Sequence, residues 1–313
     1  MPMRILVSGS LAYDRIMDFN GHFEDHILPD KIHVLNVSFY VEKFKESFGG
    51  TSGNIAYNLA LLGERPQVLA TYGNDFKLYR AWCKKNKIGI TYAKQIQKTT
   101  TASAYIITDQ SDNQIAGFFA GAMRYANGTI PAKVLGHKSI AIVAPGNTAD
   151  MKKYPLQYKK TKTQYIYDPG QQIPALSKKD LLSGLTGAKV FISNDYELSL
   201  VMKKTGLTQK KMLSRVEMIV TTKGGKGSLI TTKDKKYRIP PSKPKNTSDP
   251  TGAGDAFRAG FIKGLVNGYS LAKAGRLGAV VSVYTVEAYG TQTHRFSWAS
   301  VRKRYFQNYK KKL

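Results

Sequence analysis

Asp249-Pro250-Thr251-Gly252-Ala253-Gly254-Asp255-Ala256-Phe257 is the stretch on which the reading of this 313-residue chain turns. It joins a turn, three small residues and a carboxylate to the start of an apolar helical pattern. Small residues let backbone N–H groups converge on an anion, and a helix N-terminus adds its dipole. Asp255 lies within that turn, where it can take a proton from a hydroxyl. A base beside an anion hole is what phosphoryl transfer to an alcohol requires. Taken alone, the same letters would also suit a loop with an N-capping Asp, so the remainder of the chain has to decide.

Outward from that turn, short apolar runs alternate with helical patterns. Ile5–Ser8, Val68–Thr71, Ile140–Ala144, Thr163–Tyr167, Val190–Ser193 and Met218–Thr222 read as strands. Residues 54–62, 76–86, 178–186, 196–204, 208–215, 254–267 and 270–286 read as helices, the first ending at Gly63. Strand and helix in alternation imply an α/β fold with a mostly parallel sheet covered on both faces. Ligands in such sheets bind beyond the strand C-terminal ends. Residues 19–48 and 99–120 break the rhythm. They predict a small, discontinuous β-sheet lid on a single domain spanning 1–313, suited to excluding water from a transfer site.

The composition is that of a globular protein, with 42% hydrophobic residues and no apolar run of the roughly 20 residues that cross a bilayer. One cysteine, Cys83, excludes an intrachain disulfide framework and fits a reducing cytoplasm. The net charge of +27, from 48 Lys plus Arg against 21 Asp plus Glu, raises nucleic acid or an acidic membrane as partners. The basic residues are spread along the chain with no nucleic-acid motif. A basic surface favouring anionic substrates, with no membrane or specific nucleic-acid partner, is therefore the preferred reading.

These residues resemble the ribokinase (PfkB) family of sugar and nucleoside kinases. Gly49-Gly50-Thr51-Ser52-Gly53-Asn54 before a helix and Asp249 to Asp255 match its two motifs. Gly9-Ser10-Leu11-Ala12-Tyr13-Asp14, Asn194-Asp195-Tyr196-Glu197 and Thr222-Lys223-Gly224-Gly225-Lys226-Gly227 also fit, in the family's order, from about Ile5 to Tyr309. Asp168-Pro169-Gly170-Gln171-Gln172 and Gly121-Ala122-Met123 are similar to the bacterial adenosine kinase branch. Ala120 and Ala104 depart from that branch. The resemblance implies a ribokinase-like three-layer sandwich and an ATP- and Mg2+-dependent kinase acting on the 5′-hydroxyl of adenosine. Another nucleoside or a free pentose is the alternative substrate, and a nucleic-acid-binding protein on a kinase fold is the more distant one.

The resemblance also implies residue roles. Asp14 and Asn54 would hold the ribose hydroxyls, with Gly49 and Gly50 letting backbone approach the sugar and Ser10 and Ser38 in support. Phe118, Gln171 and Gln172 would meet the base. Asp255 would be the general base, and the N–H groups of Gly252, Ala253 and Gly254 would neutralise the transferred group. Asn194 and Glu197, three apart on a helical turn, would order a hydrated Mg2+. Thr222, Gly224, Gly227 and Thr251 would line the ATP side, with Arg258 reaching for phosphate. The residues themselves leave other readings open: a capping pair for Asn194 and Glu197, a hairpin turn for 224–227, and a helix N-cap for Asn54. An exposed lid edge predicts a homodimer sealed through the lid.

Overall fold

The computed structural model describes residues 3–111 and 113–313. Its central sheet has eight strands. Their spatial order is Lys236–Ile239, Ser228–Thr232, Met218–Thr222, Val190–Asn194, Gln164–Tyr167, Ser139–Val143, Arg4–Ser8 and Gln67–Leu69. All run parallel except Ser228–Thr232, which is antiparallel to both neighbours. The inner strands are buried on both faces, in keeping with the apolar runs Ile140–Val143, Val190–Ile192 and Met218–Val220.

Two apolar layers flank the sheet. One packs Tyr154, Tyr158, Leu181, Leu185, Val201 and Met212 from four helices against it. The other packs Ile55, Leu59, Phe257, Phe261 and Ala274. In the second layer the helices Ala253–Val266 and Leu271–Val286 touch backbone to backbone: a Cβ on Gly260 would stand 2.8 Å from the Gly278 Cα. The alternating pattern thus builds the expected three-layer sandwich.

Several elements had no sequence expectation. The helix Thr148–Lys160 contains Pro155, which hides it. The hairpin Ser228–Thr232 and Lys236–Ile239 extends the sheet beyond its parallel part. The helix Trp298–Tyr309 carries a basic face that masks its buried Val301 and Tyr305.

The second sheet has four strands in the order Val41–Gly49, Ala12–Phe19, Ala102–Thr108, Gln114–Phe119. It differs from the expected antiparallel lid of 19–48 and 99–120: its strand Ala12–Phe19 begins before residue 19 and pairs parallel with Ala102–Thr108. That strand carries Asp14, Arg15 and Asp18, so it lacks the apolar alternation of a strand covering a core. Residues 23–34 form two short 3-10 turns rather than strand, the second started by Pro29.

Candidate active site

Most of the functional candidates gather at the C-terminal ends of the parallel strands, between the two sheets. Two clefts open there, on either side of the 249–255 turn. The larger, about 1010 Å3, lies under the lid and includes Asp14, Ser47, Ala104, Asp249, Thr251 and Thr291. The smaller, about 320 Å3, holds Thr51, Asp168, Gln171, Asn194, Glu197, Thr222, Gly252, Gly254, Asp255 and Arg258.

The turn that ends in Asp255 is built by its own residues. Asp249 accepts from Thr251 N at 2.8 Å with Oδ1 and from Gly290 N at 3.0 Å with Oδ2. Gly252 sits at φ +77°, in the left-handed region that a Cβ disfavours, and caps the helix Ala253–Val266. Gly252 and Gly254 face the smaller cleft. The N–H of Ala253, the expected third donor, is turned to Pro250 O at 3.2 Å.

Asp255 is half-buried in the first turn of that helix and accepts from Asn54 Nδ2 at 2.9 Å. Burial pushes its carboxyl up to about 6, against the pull of Arg258 and the Asn54 hydrogen bond. A carboxylate so poised can take a proton near neutral pH. Asn54 is not the helix N-cap; the helix Thr51–Leu61 starts at Gly50, and Asn54 lies within its first turn. Asp14 is likewise pushed up to about 6, chiefly by burial, with Asp249 adding repulsion and the Thr291 hydroxyl, 2.8 Å from Phe48 O and 3.3 Å from Asp14 Oδ2, shared between the two acceptors. The reason for Gly49 is visible beside it: a Cβ there would stand 2.2 Å from Asp14 Oδ2.

Asn194 and Glu197 form a reciprocal capping box. Glu197 N donates to Asn194 Oδ1 at 2.7 Å, and Asn194 N donates to Glu197 Oε2 at 2.8 Å. Both still line the smaller cleft, so the cap and the cleft use the same pair. Burial raises the Glu197 carboxyl above the ordinary range. Arg258 is neither a surface cation nor free to swing: it is buried and paired through both arms with buried Asp168, one contact at 2.9 Å. That pairing holds the guanidinium more firmly protonated.

Several expected residues stand elsewhere. Thr251 lines the lid-side cleft, not the smaller one. Ser10 is buried and spent on the helix start, its Oγ accepting from Thr51 N at 3.0 Å. Ser38 is exposed and lines neither cleft. Gln171 faces the smaller cleft rather than the lid side, and Gln172 lines neither. Phe118 is 56% exposed and pairs with Ala104 across the lid, so it shares the cleft-facing side at its rim. Gly224 and Gly227 shape the hairpin that follows Met218–Thr222; of that stretch only Thr222 reaches the smaller cleft.

Sequence reading passed over Thr51, Asp168, Thr291 and Gln292. The first two lay inside quoted motifs without a role. Thr291 and Gln292 stand in a polar run after the helix Leu271–Val286 with no pattern to mark them. Gln292 is buried and joins Asn54 and Tyr79. Among the described residues no group of three acidic, His or Cys side chains could cage a metal, and no helix is long and apolar enough to cross a membrane.

A sandwich of this topology, with a carboxylate at a glycine-lined helix start facing a polar cleft, defines an α/β phosphotransferase that uses a hydroxyl acceptor. The chain belongs to the pfkB family of carbohydrate kinases, whose model matches residues 9–297. It is 34% identical over 282 residues to a nucleoside kinase of Methanocaldococcus jannaschii, covering 88% of this chain and 91% of that one. The structure of a Burkholderia thailandensis nucleoside kinase in complex with inosine superposes with a TM-score of 0.87 at 33% identity, over 98% of this chain and 99% of the other. The same enzyme in complex with ADP-inosine superposes at 0.85 and 34% identity, over 98% and 97%.

Proposed function

We propose that this chain is one kinase domain over 1–313 with a discontinuous lid, acting in the cytoplasm. It transfers the γ-phosphoryl group of ATP to the 5′-hydroxyl of a nucleoside, adenosine giving AMP among its products. The observation that carries this is Asp255: a carboxyl poised near 6 at the start of a helix, hydrogen-bonded to Asn54 and facing the glycine-lined cleft. In this reading Asp255 takes the hydroxyl proton as that oxygen attacks phosphorus. Gly252 and Gly254 N–H groups stabilise the charge that grows on the transferred oxygens.

The lid-side cleft is the acceptor side, with Asp14 holding the ribose hydroxyls. Its lining carries Asp14, Asp18, Glu42, Asp109 and Asp249 against the single cation Lys43, in a protein of net charge +27. Such a field repels a phosphorylated sugar and tolerates an uncharged nucleoside. Relatives named as nucleoside kinases, one in complex with inosine, support a nucleoside acceptor. Asn194 and Glu197, both on the smaller cleft, suit a hydrated Mg2+ that takes most of its ligands from water and phosphate.

The test is ADP formation with ATP and Mg2+ over adenosine, inosine, guanosine, cytidine, ribose and fructose 6-phosphate, with Asp255→Asn as control. Turnover of nucleosides that is lost in the variant is expected. Turnover only on the phosphorylated sugar, or an active variant, would discard the assignment. The lid's outer face aligns Phe44, Met17, Ile107 and Ile115 in one cross-strand row. Phe44 is 61% and Ile115 41% exposed. A homodimer through this face is part of the proposal, and a monomer mass by sedimentation would overturn it.

A further inference from the structure

Behind Asp255 runs a line of buried and part-buried hydrogen bonds that ends at an indole. Asn54 Nδ2 donates to Asp255 Oδ2 at 2.9 Å. Gln292 Nε2 donates to Asn54 Oδ1 at 3.1 Å and to Tyr79 OH at 2.7 Å. Trp82 Nε1 donates to Gln292 Oε1 at 2.9 Å, and Tyr79 OH donates to Gly49 O at 2.8 Å. Trp82 and Tyr79 lie three apart on one face of the helix Lys77–Lys85 and together grip the same amide.

The two ends of this line work in one direction only. An indole N–H can donate and never accept, and a backbone carbonyl can accept and never donate. With both ends fixed, Gln292 has one satisfied orientation: oxygen to Trp82, nitrogen to Asn54. That in turn leaves Asn54 one orientation, with its oxygen toward Gln292 and its N–H toward Asp255. Were Asn54 reversed, an amide oxygen would face the carboxylate and the base would lose its donor. The Trp82 ring has its own supports, stacked on Tyr57 with centroids 5.7 Å apart and lying 5.4 Å from Phe48. It holds its place without its N–H.

We infer that Trp82 and Gln292 are positioning residues for the transfer step: they fix the sense of the Asn54 amide and thereby keep its N–H on Asp255. This rests on the proposed role of Asp255 as the base. Neither residue touches the reacting atoms, and Trp82 reaches them only through two amides.

The experiment is the pH dependence of kcat/KM for Trp82→Phe, Gln292→Met, the double variant and Asp255→Asn, all on full-length protein. Trp82→Phe keeps an aromatic ring and removes only the directing donor. It is expected to lower kcat/KM by about 2- to 10-fold, the range of one neutral hydrogen bond, with KM for ATP unchanged. The acid limb should move to higher pH, because Asp255 loses its steadily oriented donor. Gln292→Met should move the limb the same way, and the double variant should match Gln292→Met rather than add to it. A Trp82→Phe enzyme with the wild-type limb and rate, or two effects that add, would overturn the relay while an inactive Asp255→Asn leaves the base in place. An active Asp255→Asn would overturn both. Should Gln292→Met fail to fold, the limb of Trp82→Phe alone decides.

Discussion

Replacing Asp255 with Asn should inactivate the protein and make it more stable. The Asp255 carboxyl sits at about 6 instead of the ordinary 3.8, because burial opposes its charge more than Arg258 and Asn54 favour it. That is roughly 2 units, and at about 1.4 kcal/mol per unit the ionised side chain costs the fold about 3 kcal/mol. Asn mimics the neutral form and still accepts from Asn54. The sign follows from proton counting. Between 3.8 and 6 the folded state binds more protons than the unfolded one, so stability falls as pH rises through that window and is level above it. The gain from the variant should therefore be full at pH 8, about 1 kcal/mol at pH 4.5, and gone below both values. Unfolding entropy of about 2 cal/mol/K per residue turns 3 kcal/mol into roughly 5 °C for a chain of this length. Thermal melts of both proteins at pH 8 and pH 4.5 read the effect directly. A variant that melts lower at pH 8, or a gap of equal size at both values, would refute the reasoning.

Two further outcomes follow from the same residues. Asp168→Asn leaves Arg258 buried without its bidentate partner and should cost about 3–5 kcal/mol by urea unfolding, whereas Asp168→Leu with Arg258→Met should recover most of the loss. Gly49→Ala drives a methyl into the Asp14 carboxylate, 2.2 Å away, and should raise KM for the nucleoside about 10- to 100-fold with KM for ATP little changed.

The central sheet and its flanking helices were legible because their signal is local. Val190–Asn194 and Met218–Thr222 are continuous apolar runs, and the Asp249 turn announces the helix after it. Motif residues that act through backbone geometry, such as Gly252 and Gly49, were legible for the same reason. What escaped depends on contacts made far along the chain. Asp168 and Arg258 are 90 residues apart, and nothing near either one predicts that they neutralise each other. Gln292 stands 238 residues from Asn54 and in no regular element. Ser10 was expected to face the sugar, yet its hydroxyl serves the helix start, and Arg258 lines the smaller cleft while held by Asp168. The lid strand Ala12–Phe19 was hidden by the very carboxylates that make it useful, since Asp14 and Asp18 line the cleft instead of a core.

The loop after the helix Leu271–Val286 closes the active site from the far end of the sequence. Thr291 reaches Asp14, Gln292 reaches Asn54, and the His294 carbonyl accepts from Tyr57. Every strand of both sheets precedes residue 240. During synthesis the scaffold can therefore assemble while the chain is still growing, but the cleft is finished only when the segment after residue 287 has emerged and docked. A chain halted before residue 288 would carry the whole sheet framework and an open, unbraced site. The braces on Asp14 and Asn54 are thus the parts of the site supplied latest along the chain.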